Sequence, residues 1–207
     1  MYINEVTQIL SDLETAVRAS TDLYHAEVKK LNDFYKPDTV ELTERLKESH
    51  NKYISTMNDL RISASDKTTD IIRRAKNNVI NKATSALPDD FVTTIEAIKA
   101  MGKLTKFESE AFFEKYKNNY PAIRSIVSVI NSTNGNNRYS LETSFHNVME
   151  QLERIELNSM NYIKRNDIVS LEAGISFSFN SGVISNTENL ISKFMNSAVV
   201  LDSEAEV

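Results

Sequence analysis

His25, His50 and His146 are the only imidazoles in this 207-residue chain, and no cysteine accompanies them. Metal or acid–base chemistry would have to combine these rings with carboxylates. The best-spaced set is Glu142, His146 and Glu150, four residues apart and therefore stacked on one helix face, with Asp22 and His25 a turn apart on an earlier segment. If the two segments pack together, they form a carboxylate–histidine site. Helix-bundle di-metal proteins use paired Glu-x-x-His motifs plus two further glutamates. No Glu-x-x-His occurs here, and Asp22-Leu23-Tyr24-His25 is the nearest approach. The same spacing also describes ordinary surface pairs, which add only tenths of a kcal/mol. No metal, cofactor or catalytic residue is therefore assigned. Nucleophile-elbow, phosphate-loop and dinucleotide motifs are missing too, and four glycines cannot build them. A non-enzymatic protein is expected, with a metal-dependent helical enzyme using His25 and His146 as the outlying alternative.

Two other clusters point to binding. Lys67, Arg73, Arg74, Lys76 and Lys82 form the main basic group, of the kind that neutralises phosphates. Asp66 and Asp70 dilute it, adjacent arginines diverge by about 100° around a helix, and no zinc-finger or RNP-type aromatic pattern accompanies it. A solvated helix face gives the same pattern, so nucleic acid is a secondary expectation. The second cluster is aromatic: Phe107, Phe112, Phe113, Tyr116 and Tyr120, rimmed by Lys115, Lys117 and Arg124. Adjacent Phe112 and Phe113 cannot both face one small core. Phe112, Phe113, Tyr116, Lys117 and Tyr120 are accordingly the candidate partner-binding residues, unless a larger bundle buries them.

These side chains must be positioned by long helices. Apolar residues recur at three-four spacing through Ile3, Val6, Leu10, Leu13, Val17, Ser20, Tyr24, Glu27, Leu31 and Phe34, a narrow seam seeking another helix. A second strong seam runs through Leu141, Phe145, Val148, Leu152, Ile155, Ser159, Tyr162, Asn166 and Val169. The first helix should span Asn4 to Tyr35, roughly 48 Å, and stop before Pro37. Asp38 or Thr39 then caps a second helix with Leu42, Leu46, Ser49, Tyr53, Thr56, Leu60, Ala64, Thr68, Ile71, Ala75, Val79 and Ala83 along its seam. Unbroken to Pro88 it would approach about 75 Å; the polar Ser63-Ala64-Ser65-Asp66 is a candidate bend.

Residues 88–130 read as a small three-helix module: one helix capped by Asp89 or Asp90 and ended by Gly102, one opened by a Thr105–Glu108 capping box, and one from Pro121 to Ile130. Asn131 to Asn137 is a loop. The next helix is expected over Ser140 to Ala173. Alternation through Ile175 to Ile184 is the one strand-like pattern, fitting a short β-hairpin, an ordered loop or a strand lent to a neighbouring subunit. A Ser185–Glu188 capping box then opens a last helix, and the acidic tail from Asp202 should fray.

The expected fold is all-α, an elongated long-helix bundle or coiled coil with a small three-helix module and a short β-hairpin near the C-terminus. Its segments are 1–87, two long antiparallel helices; 88–130, the module; and 131–207, the returning long helix with the C-terminal hairpin and helix. The net charge of −5 hides a basic middle, with twelve Lys or Arg against eight Asp or Glu over 61–124, and an acidic end, four against ten over 139–207. The N-terminus lacks signal-peptide character and no apolar run is long enough for a bilayer, so neither secretion by a signal peptide nor membrane association is expected.

Leu104-Thr105-Lys106-Phe107-Glu108 and Glu114-Lys115-Tyr116-Lys117-Asn118-Asn119-Tyr120-Pro121-Ala122-Ile123-Arg124 resemble segments of small helical accessory proteins of phages and prophages of low-GC Gram-positive bacteria. The resemblance covers about a tenth of the chain. It implies a phage-encoded protein that acts by binding, in the virion or on a host component, hence a cytoplasmic or virion-associated location. The seams add self-association, so a homo-oligomer with a protein partner is expected: a structural or assembly protein, or alternatively a soluble inhibitor or regulator that binds a host protein or nucleic acid through the basic middle.

Overall fold

The structure is a computed structural model and describes residues 3–134, 138–165 and 181–202. Of these, 81% are helical, confirming the all-α class. Helices α1 (Asn4–Phe34), α2 (Val40–Ala83), α3 (Phe91–Met101), α4 (Lys106–Tyr116) and α5 (Tyr120–Thr133) are followed by strand β1 (Arg138–Leu141), helices α6 (Phe145–Arg165) and α7 (Ser181–Met195), and strand β2 (Val199–Asp202). No described helix is long and apolar enough to cross a membrane.

The chain divides into two compact units, Met1–Arg73 with Arg154–Ile184, and Arg74–Glu153 with Ser185–Val207. The divisions fall inside α2, α6 and α7, where the helix continues without a break and gives no boundary signal.

In the first unit, α1 ends before Pro37, and Asp38 takes a left-handed backbone (φ 60°) that Asp tolerates better than most residues. Thr39 is the cap of α2: its Oγ1 accepts from Leu42 N at 3.3 Å. The polar run 63–66 does not interrupt α2, whose 44 residues span about 66 Å. α1 and α2 pair antiparallel, since Thr21 meets Tyr53 and Tyr24 meets His50, both pairs centred on residue 37. α6 joins them. Its Ser159 is buried, Met160 Sδ accepts from Ser65, Tyr162 OH donates to Glu14, and the Arg61 guanidinium donates to the carbonyls of Ile163 and Lys164.

The α1 seam is consumed unevenly. Ile3, Val6, Leu10, Leu13 and Val17 are buried, each worth about 1.5–3 kcal/mol when removed from water. Beyond them Ser20, Tyr24 and Leu31 are half-buried, and Glu27 and Phe34 are exposed. On α2 the seam holds from Leu42 to Val79, except that Thr56 is exposed and Met57 is buried in its stead.

In the second unit, Phe91, Ile98, Leu104, Tyr116, Ala122, Ile123, Ile126, Val127, Ile130 and Tyr139 form one buried cluster. Two of the expected caps are made; Asp90, expected to cap α3, makes no side-chain cap hydrogen bond, and Asn119, which the sequence pattern does not single out, caps α5. Gly102 ends α3 with φ 71°, both halves of the Thr105–Glu108 capping box are made, and Asn119 Oδ1 accepts from Ala122 N to open α5. Ser140 and Leu141, expected to open the next helix, belong instead to the strand Arg138–Leu141. It pairs antiparallel with β2, Tyr139 opposite Leu201 and Leu141 opposite Val199. The seam pattern from Leu141 onward suggests helix, but Tyr139 is buried in the cluster with α5, and the β-branched Val199-Val200 supplies a strand mate. α6 therefore starts at Phe145. Of the strand-like stretch 175–184, residues 175–180 lie outside the described residues and 181–184 are helical, because α7 already begins at Ser181. Ser185 and Glu188 thus sit inside a helix and are not its cap. Asn166, Val169 and the rest of the expected helix to Ala173 also lie outside the described residues.

Candidate functional site

Two of the five candidate partner-binding residues are core. Tyr116 is 3% exposed, its ring edge-on to Phe91 and its hydroxyl 2.7 Å from Thr94 Oγ1. Tyr120 is 4% exposed, stacked at a tilt on Phe194 with centroids 4.5 Å apart, and its hydroxyl accepts from Phe145 N. Both aromatics therefore satisfy their polar ends inside the second unit, as buried tyrosines usually do. The physical causes differ: Phe91 and Thr94 of α3 cover Tyr116, whereas Phe194 of α7 and the start of α6 cover Tyr120. Phe112 and Phe113 are both half-buried against the cluster, Phe113 meeting Tyr139 edge to face at 5.0 Å. Lys117 is exposed and pairs with Glu114 one turn back. Lys115 pairs with Asp90 at 2.6 Å and lies over the Tyr116 ring. That ion pair holds the Asp90 carboxyl below, and the Lys115 ammonium above, their usual ranges.

The basic residues do not converge. Arg73 is paired with Asp70 at 2.6 Å, and Lys82 donates to Asn118 O at 2.6 Å from a half-buried position that lowers its pKa by desolvation. Lys67 and Arg74 are exposed and Lys76 is half-buried. All five lie on the single helix α2, where their spacing spreads them around the axis instead of along one stripe.

The histidines have local roles. Tyr24 OH lies 3.2 Å from His50 Nδ1, and the Tyr24 ring stacks on Tyr53 at 4.6 Å and is edge-on to His25. Tyr24 and Tyr53 line a groove of about 140 Å³ with Ser20, Leu23, Glu27 and Lys52. Glu142 pairs with Lys193, and His146 is exposed. Among the described residues no group of three or more His, Asp or Glu side chains is placed to hold a metal ion.

What the sequence reading does not single out is the pair of exposed apolar residues at the turn between α1 and α2. Phe34 is 82% exposed and Val40 75% exposed, flanking Pro37, with the Phe34 ring edge-on to the half-buried Tyr35. Phe34 was visible as a seam position. Its exposure follows from its place at the end of the pair, where burial along α1 has already fallen away. On the second unit Phe107, in the first turn of α4, is likewise 82% exposed. Its neighbours Thr105 and Glu108 bond each other across the first turn to satisfy the helix end, and the Phe107 ring has no part in that cap. Scattered single apolar residues are ordinary on surfaces; here a Phe and a Val are exposed on either side of one turn. No protein-family model matches this chain, and neither does any curated protein or solved structure.

Proposed function

We propose that this chain is a non-enzymatic helical assembly protein that self-associates and binds a larger protein partner, with the α1–α2 turn as its leading contact. The observation that carries the reading is the pair Phe34 and Val40, both more than two-thirds exposed beside Pro37. A rigid turn held by the Thr39 cap presents them at little conformational cost, and exposed aromatics so presented are the residue type that anchors interfaces. Phe107 is the corresponding exposed aromatic of the second unit and replaces Tyr116 and Tyr120 as the residue to test there. The phage setting rests on the resemblance of residues 104–108 and 114–124 alone.

The test is retention of the natural partner by the immobilised chain. Phe34→Ser with Val40→Ser should lower retention at least about tenfold, the effect of losing an anchor worth about 2 kcal/mol, while the melting temperature stays at the parent value. Retention unchanged in both this variant and Phe107→Ser would overturn the reading. Strong 260 nm absorbance of the purified protein would move it toward the inhibitor or regulator that uses Lys67, Arg73, Arg74, Lys76 and Lys82.

A further inference from the structure

The two edges of the small sheet are finished differently. Tyr139 turns its backbone N–H and C=O away from β2, and the Asn131 carboxamide takes both, donating to Tyr139 O at 2.7 Å and accepting from Tyr139 N at 2.8 Å. One side chain thus closes the Tyr139 position of the outer edge of β1 as a neighbouring strand would. This also fixes the hydrogen-bond phase of the ladder. Tyr139 and Leu201 are opposite each other without bonding, so bonds fall on the alternate pairs, in agreement with Glu142 N donating to Ala198 O at 2.9 Å. Val199 and Leu201 must then direct their N–H and C=O groups outward from β2. Among the described residues the sheet has no third strand and no hydrogen bond reaches those four groups.

Strand edges are normally protected by lysine, proline, a bulge or a cover. Val199-Val200-Leu201 has no such residue, and Leu201 is 40% exposed. Two strands alone are also marginal in water.

We propose that β2 is a docking edge for a second copy of this chain, the two β2 strands pairing antiparallel about a two-fold axis through Val200. This specifies the self-association in the reading above, but it rests on different atoms from the α1–α2 turn. The second copy is favoured over an unrelated peptide because the edge is self-complementary in that register. Val199 of each copy meets Leu201 of the other as a bonded pair, so the eight outward groups of the two edges are mutually satisfied in four hydrogen bonds. Val200 faces Val200 of the second copy as a non-bonded pair, and no two charged residues share a register position. The product is a four-stranded sheet.

The full chain contains no cysteine, so Val200→Cys introduces a single thiol. A non-bonded antiparallel pair holds Cα atoms about 4.5 Å apart, within disulfide reach. Sedimentation should give twice the 23.5 kDa chain mass, and mild oxidation of Val200→Cys should link most of the protein as a dimer, well beyond a Val92→Cys control on exposed α3. Leu201→Pro removes only an outward N–H and should return the chain to the monomer mass with its circular dichroism intact. A parent chain that stays monomeric up to about 100 µM, a concentration at which even contacts of micromolar affinity are populated, overturns the proposal and leaves the edge to an extended peptide of another protein. A dimer that Val200→Cys does not cross-link above the control also overturns it, whether or not Leu201→Pro folds. Failure here with partner retention still dependent on Phe34 and Val40 removes this inference alone; the converse removes the turn contact alone.

Discussion

The far stretch of the α1–α2 pair and the cluster around α5 use the same kinds of residue with opposite results. Around α5 an aromatic or aliphatic side chain meets partners from α3, α4, β1 and β2, and Ile123, Ile126 and Ile130 are completely buried. Toward the Pro37 turn, Leu31 on the same three-four spacing is only half-buried and Phe34 is almost free. Spacing assigns a residue to a seam; the number of elements that reach the seam decides whether it is core.

Ile126→Ala and Leu152→Ala should show the largest effect, about 2–5 kcal/mol each, because both side chains have no exposure and the cavity cannot collapse within a packed helix contact. Urea unfolding measures it. Along α1 the contrast becomes internal: Leu13→Ala should cost about 2–4 kcal/mol, and Leu31→Ala less than half of that, being only half-buried. Equal losses would erase the difference between the two stretches.

Tyr116→Phe sharpens the comparison at the level of a single hydroxyl. It keeps the ring on Phe91 but removes the 2.7 Å contact with Thr94, so about 1 kcal/mol should be lost. Loss of partner with no change in stability would return Tyr116 to the surface. Thr105→Ala takes away the cap of α4 and should cost about 1 kcal/mol in the same unfolding experiment.

The smallest effects belong to exposed groups. Phe34→Ala should stay within about 0.5 kcal/mol of the parent. At Glu108, the Thr105 backbone N–H, then its hydroxyl, donate to the carboxylate and hold its pKa below the usual value. Because the folded value is the lower one, its contribution is complete above the ordinary carboxylate pKa of about 4.3 and is lost as pH falls through the folded value. Melting curves of the parent and Glu108→Gln taken from neutral to acid pH should therefore converge on the acid side.

Sequence alone determined the class of this protein and most of its punctuation. Pro37, Thr39, Gly102, the Thr105–Glu108 box and the scarcity of other breakers act through local backbone geometry and caps, and each stands where local rules put it. Tertiary structure decided everything that depends on a distant partner. Arg138–Leu141 became a strand because β2 lies beside it, some sixty residues on in sequence, and Tyr116 and Tyr120 became core because Phe91 of α3 and Phe194 of α7 cover them. Phe34 and Val40 remained outside for the converse reason. A seam records which side chains would gain from burial, but which of them obtain it depends on long-range contacts that no local pattern encodes.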